Sequence, residues 1–134
     1  MKKIIVLITI LVLSACSMDG DSGGQVITLL PIDESVTPSN FTYRTTDTIK
    51  VKYSLPSGCH MFYNLYYQYK DTTRIVAIRS LQDLSLTCSD ALIEKELEIP
   101  IQVTQKQDYV FKFWKGKDAD GKDTFEEKVV PVIN

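Results

Sequence analysis

The chain is 134 residues long, with 15 lysine and arginine residues against 17 aspartate and glutamate residues and a formal net charge of −2 at pH 7. That length accommodates one domain around a single core, and the mildly acidic balance provides no basic footprint for nucleic acid and no attraction of its own to anionic lipid. Two of the basic residues, Lys2 and Lys3, stand at the very start, so the remainder is more acidic still.

Met1-Lys2-Lys3 is followed by an apolar run from Ile4 to Leu13, interrupted only by Thr9. A basic end, a short apolar segment and small residues make a secretory signal. The segment falls short of the roughly 20 apolar residues that a membrane-crossing helix needs. Leu13-Ser14-Ala15-Cys16 resembles the lipobox of bacterial lipoproteins. The resemblance implies that residues 1–15 are a signal peptide cut before Cys16 and that Cys16 receives lipid. It also implies a protein anchored to the cell membrane or outer membrane, facing the periplasm or the cell surface. Each buried methylene contributes roughly 0.8 kcal/mol, so one acyl chain binds reversibly whereas two or three hold firmly. Residues 16–24 are small, polar and acidic, and are expected to form a tether. Asp19 and Asp21 match in part the acidic export signals of surface lipoproteins in Bacteroidota-type bacteria, which they resemble with a glycine between them.

From residue 25 to 134 the pattern predicts one β-domain. Strands are expected near 26–32, 48–55, 60–70, 73–80, 93–103, 107–116 and 123–133, with only a weak helical spacing around Leu81, Leu84 and Leu86. In 48–55, Ile49, Val51, Tyr53 and Leu55 alternate with polar residues, and Glu94, Glu96 and Glu98 mark the wet face of the fifth strand. Asp71-Thr72 closes a hairpin, and residues 117–122 turn the sixth strand into the seventh. Pro31, Pro56, Pro100 and Pro131 fall at strand ends or edge positions, where a missing amide is tolerated.

About seven strands with regular turns predict an all-β antiparallel two-sheet sandwich. Asp108-Tyr109-Val110-Phe111-Lys112-Phe113 resembles strand F of immunoglobulin-like and fibronectin-type-III-like domains. The resemblance implies that Tyr109 bonds back to the main chain as a tyrosine corner and that Phe111 points into the core. It implies nothing about function, since fold analogy does not transmit it.

With Cys16 assigned to lipid, Cys59 and Cys88 form an even pair in an oxidising compartment, where a disulfide is the default. A closed loop of about 30 residues corresponds to roughly 3 to 4 kcal/mol of stabilisation. A free thiol or a metal pair is the alternative, but His60 alone does not complete a zinc site.

Candidate chemistry is sparse. His60 is the one histidine, and neighbours in a strand point to opposite faces, which separates it from Cys59 as a nucleophile's base. Nucleophile-elbow, zincin, phosphate-loop and Cys-x-x-Cys motifs are missing from the sequence. Asp118 and Asp120 sit at a hairpin tip with no pocket to raise one pKa. The 118–123 segment has the alternating oxygen donors of a calcium loop, but Lys122 occupies a ligand position and no glutamate closes it. A solvated hairpin and a calcium loop both stay open. No catalytic residue, cofactor or metal is therefore assigned.

The aromatic residues carry more information. Alternation places Met61, Tyr63, Leu65, Tyr67 and Tyr69 inward and Phe62, Asn64, Tyr66 and Gln68 outward on the third strand. On the sixth, Tyr109, Phe111 and Phe113 face inward, and Val110, Lys112 and Trp114 outward. An immunoglobulin-like order makes these strands neighbours, which predicts a binding face of Phe62, Asn64, Tyr66, Gln68, Lys112 and Trp114 for an envelope protein or a glycan. The competing reading is that these side chains cover the sheet or pack beneath a loop. The expected function is a non-catalytic interaction or structural module at the cell envelope. The alternatives are an accessory carbohydrate-binding lipoprotein and an envelope hydrolase with a scattered polar site.

Overall fold

Alternating apolar and polar side chains, broken by prolines and tight turns, fold into ten strands in a computed structural model that describes residues 24–134. The segments expected to be a signal peptide, a lipobox with Cys16 and a tether lie, up to residue 23, outside the described residues. In chain order the strands are β1 Gln25–Leu30, β2 Ile32–Val36, β3 Phe41–Thr42, β4 Thr46–Leu55 and β5 His60–Lys70. They continue as β6 Thr73–Asp83, β7 Ile93–Gln102, β8 Tyr109–Lys117, β9 Asp123–Val130 and β10 Val132–Ile133.

All seven expected strands are present, and two of them are divided by proline. Pro31 separates β1 from β2, and Pro131 separates β9 from β10. Because proline cannot donate to a ladder, each is a point where the chain leaves one sheet for another. β1 and β9 belong to a five-stranded sheet, β2 joins β4 and β7 in a three-stranded sheet, and β10 pairs with β3.

In the five-stranded sheet β6 is central. β5 runs along one of its edges, while β1 and β8 share the other, β1 along Ile78–Asp83 and β8 along Thr73–Val76. β9 completes the sheet beside β8. The pairing is antiparallel except between β6 and β8 and between β10 and β3. β5 and β8 are thus not neighbours, which corrects the adjacency expected for the third and sixth strands. The physical reason lies in composition. β6 carries the continuous apolar run Ile75-Val76-Ala77-Ile78, suited to a central strand, whereas β5 carries tyrosines and a glutamine suited to an edge.

The two sheets enclose one core. Ile49, Val51, Tyr53, Leu55, Ile99 and Ile101 come from one sheet, and Val76, Ile78, Tyr109, Phe111, Phe113 and Val130 from the other. Phe41 meets Tyr109 and Phe111 edge-on at 5.2 and 6.0 Å. The Tyr109 hydroxyl donates to the Gln102 carbonyl at 3.3 Å and accepts the Thr104 amide at 3.1 Å. This is the backward bond expected of it, and it ties β8 to the segment that precedes it. Cys59 and Cys88 are joined with Cα atoms 5.5 Å apart, pinning the start of β5 to the 84–92 loop.

One side of the sandwich is closed by polar bridges between β2 and the β8–β9 hairpin. Ser35 donates to Glu126 at 2.6 Å, Lys115 donates to the Ile32 and Asp33 carbonyls at 2.7 and 2.9 Å, and Lys128 donates to the Ser35 carbonyl.

Candidate functional site

The ladder fixes which side chains share a face, because directly paired residues point the same way. β5 follows simple alternation only in part. Phe62 pairs with Ser80 and Asn64 with Arg79, so Tyr63 is an extra residue in a bulge. A one-residue insertion exchanges the faces of everything on one side of it. Leu65, Tyr67 and Tyr69 face inward as expected, and Asn64, Tyr66 and Gln68 outward. Phe62 is corrected: it pairs with buried Ser80 and its ring lies 6.2 Å from that of Tyr53 in the core. Met61, expected inward, instead pairs with Leu81 on the outer face and is exposed.

The outer face of the five-stranded sheet is built in rows. Met61, Leu81 and Ile27 form one, and Asn64, Arg79 and Leu29 the next. Tyr66 pairs with Ala77, and Trp114 pairs with Phe125. Gln68, Lys112 and Glu127 make a row beside them that is polar except for Ile75 between Gln68 and Lys112. Five of the six expected face residues, Asn64, Tyr66, Gln68, Lys112 and Trp114, are therefore on one surface, with β6 standing between the two groups. Adjacent strands lie about 4.8 Å apart, so Tyr66 and Trp114 are separated by roughly twice that.

The aromatic side chains are held in place. The Arg79 guanidinium lies 5.0 Å from the Tyr66 ring centre, and the Tyr66 hydroxyl donates to Gln68 at 2.9 Å. The Trp114 indole donates to Asp123 at 3.0 Å, and Lys117 donates to the same carboxylate oxygen at 2.9 Å. Those two bonds, Lys117's first, hold the Asp123 carboxyl below its ordinary range. Ala77 is only 2 % exposed despite facing outward, because larger side chains stand on every side of it.

Ile27, Leu29, Met61, Phe125 and Val129 are exposed and extend the apolar area beyond the residues anticipated from sequence. The alternation of Ile27 and Leu29 in β1 was a usable signal for them. The other sheet differs in kind. Its outer face carries Glu34, Lys50, Lys52, Glu94, Glu96 and Glu98, with Lys50 to Glu98 at 3.3 Å and Lys52 to Glu34 at 3.5 Å.

The remaining chemical candidates are engaged in turns. Cys59 is in the disulfide. His60 Nδ1 lies 3.0 Å from Ser57 Oγ, a contact that sequence reasoning missed, and the same hydroxyl accepts the Cys59 amide at 3.2 Å. Asp118 accepts the amides of Asp120 and Lys122 at 2.9 Å each, and Gly121 has a φ of 77°, so these residues shape the β8–β9 turn. Among the described residues no group of three His, Cys, Asp or Glu side chains is arranged to hold a metal ion.

No curated protein and no solved structure matches the chain. A family model described as the ORF11 beta-sandwich domain matches residues 49–127, from the middle of β4 to β9, a stretch that contains Tyr66, Lys112 and Trp114.

Proposed function

The chain belongs to the ORF11 beta-sandwich domain family, and from that premise we propose that it is a non-catalytic interaction module, tethered at the cell envelope by lipid on Cys16, whose partner docks on the outer face of the five-stranded sheet. The observation that carries this reading is the contrast between the two outer faces. One is laced with ion pairs and suited to water, whereas the other exposes Ile27, Leu29, Met61 and Phe125 together with the half-buried rings of Tyr66 and Trp114. Contiguous exposed apolar area rimmed by polar groups marks an interaction surface, and immobilised aromatic rings give contact area at little cost in rotamer entropy.

Anchoring rests on Leu13-Ser14-Ala15-Cys16 and the polar segment after it. A Gly/Ser-rich segment of about eight residues has a root-mean-square reach of about 15 Å, enough to hold a small domain against a bilayer and leave one sheet face free. A non-catalytic role is supported by the engagement of Cys59, His60 and Asp118 in a disulfide and in turn hydrogen bonds.

An accessory carbohydrate-binding role is favoured by one specific feature, the row of Gln68, Lys112 and Glu127 beside Tyr66 and Trp114. Rings flanked by amide, ammonium and carboxylate groups match the apolar face and hydroxyl rim of a sugar. Glycan-array binding lost in a Tyr66→Ala/Trp114→Ala variant would select this role over a protein partner. Turnover of a chromogenic ester or glycoside panel would contradict both and favour an envelope hydrolase. Mass spectrometry of the protein from its native cell tests the anchor, with residues 1–15 absent and acyl mass on Cys16 as the expected result. Antibody labelling of intact and permeabilised cells then separates surface from periplasm.

A further inference from the structure

The side of the sandwich away from β2 and β9 is open. There the edge strands β5 and β7 flank a groove of about 550 Å³, within the range of small-ligand sites. Leu65, Tyr67, Tyr69, Ile99 and Ile101 are among the residues that line it, with Arg74 from β6. Arg74 is 5 % exposed, with its guanidinium 4.4 Å from the Tyr69 ring centre and 5.0 Å from that of Tyr109. Its N–H groups donate to the Asp71 carbonyl at 2.8 Å, the Thr73 carbonyl at 3.1 Å and the Gln105 amide oxygen at 2.8 Å.

All three acceptors are neutral. Among the described residues no carboxylate forms an ion pair with Arg74, and its buried Nε has no acceptor. Buried charges are ordinarily paired, because removing an ion from water is costly. Here the guanidinium is fixed in position without a countercharge beside a largely apolar groove, where low dielectric strengthens its field.

We propose that this groove binds a small organic anion, a carboxylate or phosphate monoester on a flat apolar body, with the anionic group at the Arg74 end and the body against Leu65, Ile99 and Ile101. The rings of Tyr67 and Tyr69, 5.2 Å apart and edge to face, form the wall between the two. Burial raises the Tyr67 phenol above its ordinary pKa, and the charge of Arg74 and a hydrogen bond with it offset this only in part; the hydroxyl, beside the guanidinium, has a hydrogen to donate to an incoming anion. The site is independent of the outer-face interface, since it lies at the sheet edges.

The test is a nuclear magnetic resonance titration of the folded protein with sodium benzoate, phenyl phosphate and benzamide. Saturable shifts at the amides of 65–69, 74 and 99–102 are expected with either anion, and benzamide should bind about tenfold more weakly. Benzoate favoured over phenyl phosphate assigns a carboxylate, and the reverse assigns a phosphate monoester. Thr46 lines the groove on its exposed side, so its substitution spares the core. Thr46→Glu should weaken anion binding several-fold and Thr46→Lys should tighten it, about as charge complementarity requires. Arg74→Gln should abolish the preference for anions, and if that variant fails to fold the Thr46 pair decides. Equal affinity for benzoate and benzamide, no saturable shift at the groove, or no response to the charge at position 46 would overturn the proposal.

Discussion

Phe62 reaches inward from the edge strand β5 and lies against Tyr53 of the opposite sheet, ring centroids 6.2 Å apart and planes tilted by 41°. The Tyr63 bulge turns it there, so Phe62 belongs to the packing between the sheets and not to the interaction face. Phe62→Ala should lower stability by about 1 to 2 kcal/mol, less than the 3 to 5 kcal/mol of a fully buried phenylalanine, because the side chain is 40 % exposed. A urea titration measures this, and partner binding at native conditions should be unchanged.

Tyr109→Phe tests the corner that locks β8 to the residues before it. The variant keeps the edge-on packing with Phe41 at 5.2 Å but leaves the Thr104 amide and Gln102 carbonyl without their partner. A loss of about 1 to 3 kcal/mol follows from a broken, partly buried hydrogen-bond pair. The urea midpoint should fall with no change in slope, since the surface exposed on unfolding is the same.

The disulfide joins residues separated by 29 positions. Replacing both Cys59 and Cys88 with serine should remove about 3 to 4 kcal/mol, chiefly by freeing the unfolded chain. Hydrogen exchange should quicken in the 84–92 loop and at the start of β5. The amides of β4 and β6, inside their sheets, should stay protected.

Trp114 is the one tryptophan of the chain and hydrogen-bonds Asp123, so its fluorescence reports on that carboxylate. The folded pKa of Asp123 is depressed by the bonds from Lys117 and Trp114. Its contribution to stability is therefore complete above the ordinary carboxylate pKa and disappears as pH falls through the lower folded value. Emission should be steady from pH 7 down to about 4 and should shift only below that. Asp123→Asn should abolish the acid transition, and a transition centred at or above the ordinary carboxylate value would contradict the assignment.

The sequence was most legible where alternation is unbroken. Ile49, Val51, Tyr53 and Leu55 of β4, and the glutamates of β7, declared their faces because each polar residue was strongly polar. In β5, by contrast, aromatic residues occupy both faces, so nothing in His60–Lys70 betrays a bulge at Tyr63, and one residue of slip reversed Phe62 and Met61. The strand order differs from the expected one because the Ig-like resemblance of Tyr109 and Phe111 says less about place in the sheet than the apolar run of Ile75 to Ile78, the plainer mark of a central strand. Arg74 carries no mark in the sequence. Its setting depends on backbone carbonyls of a hairpin and on Gln105, which is 31 positions away, and no local pattern reveals such a contact.

The outer face is tested most directly by a photo-crosslinking amino acid placed singly at Tyr66, Trp114 or Phe125 in the native cell, with Lys50 and Glu98 on the charged sheet as controls. Discrete adducts of one mass at the first three positions and none at the controls are expected of a docking face. Adducts distributed equally over both sheets, or absent from Tyr66, Trp114 and Phe125, would contradict it.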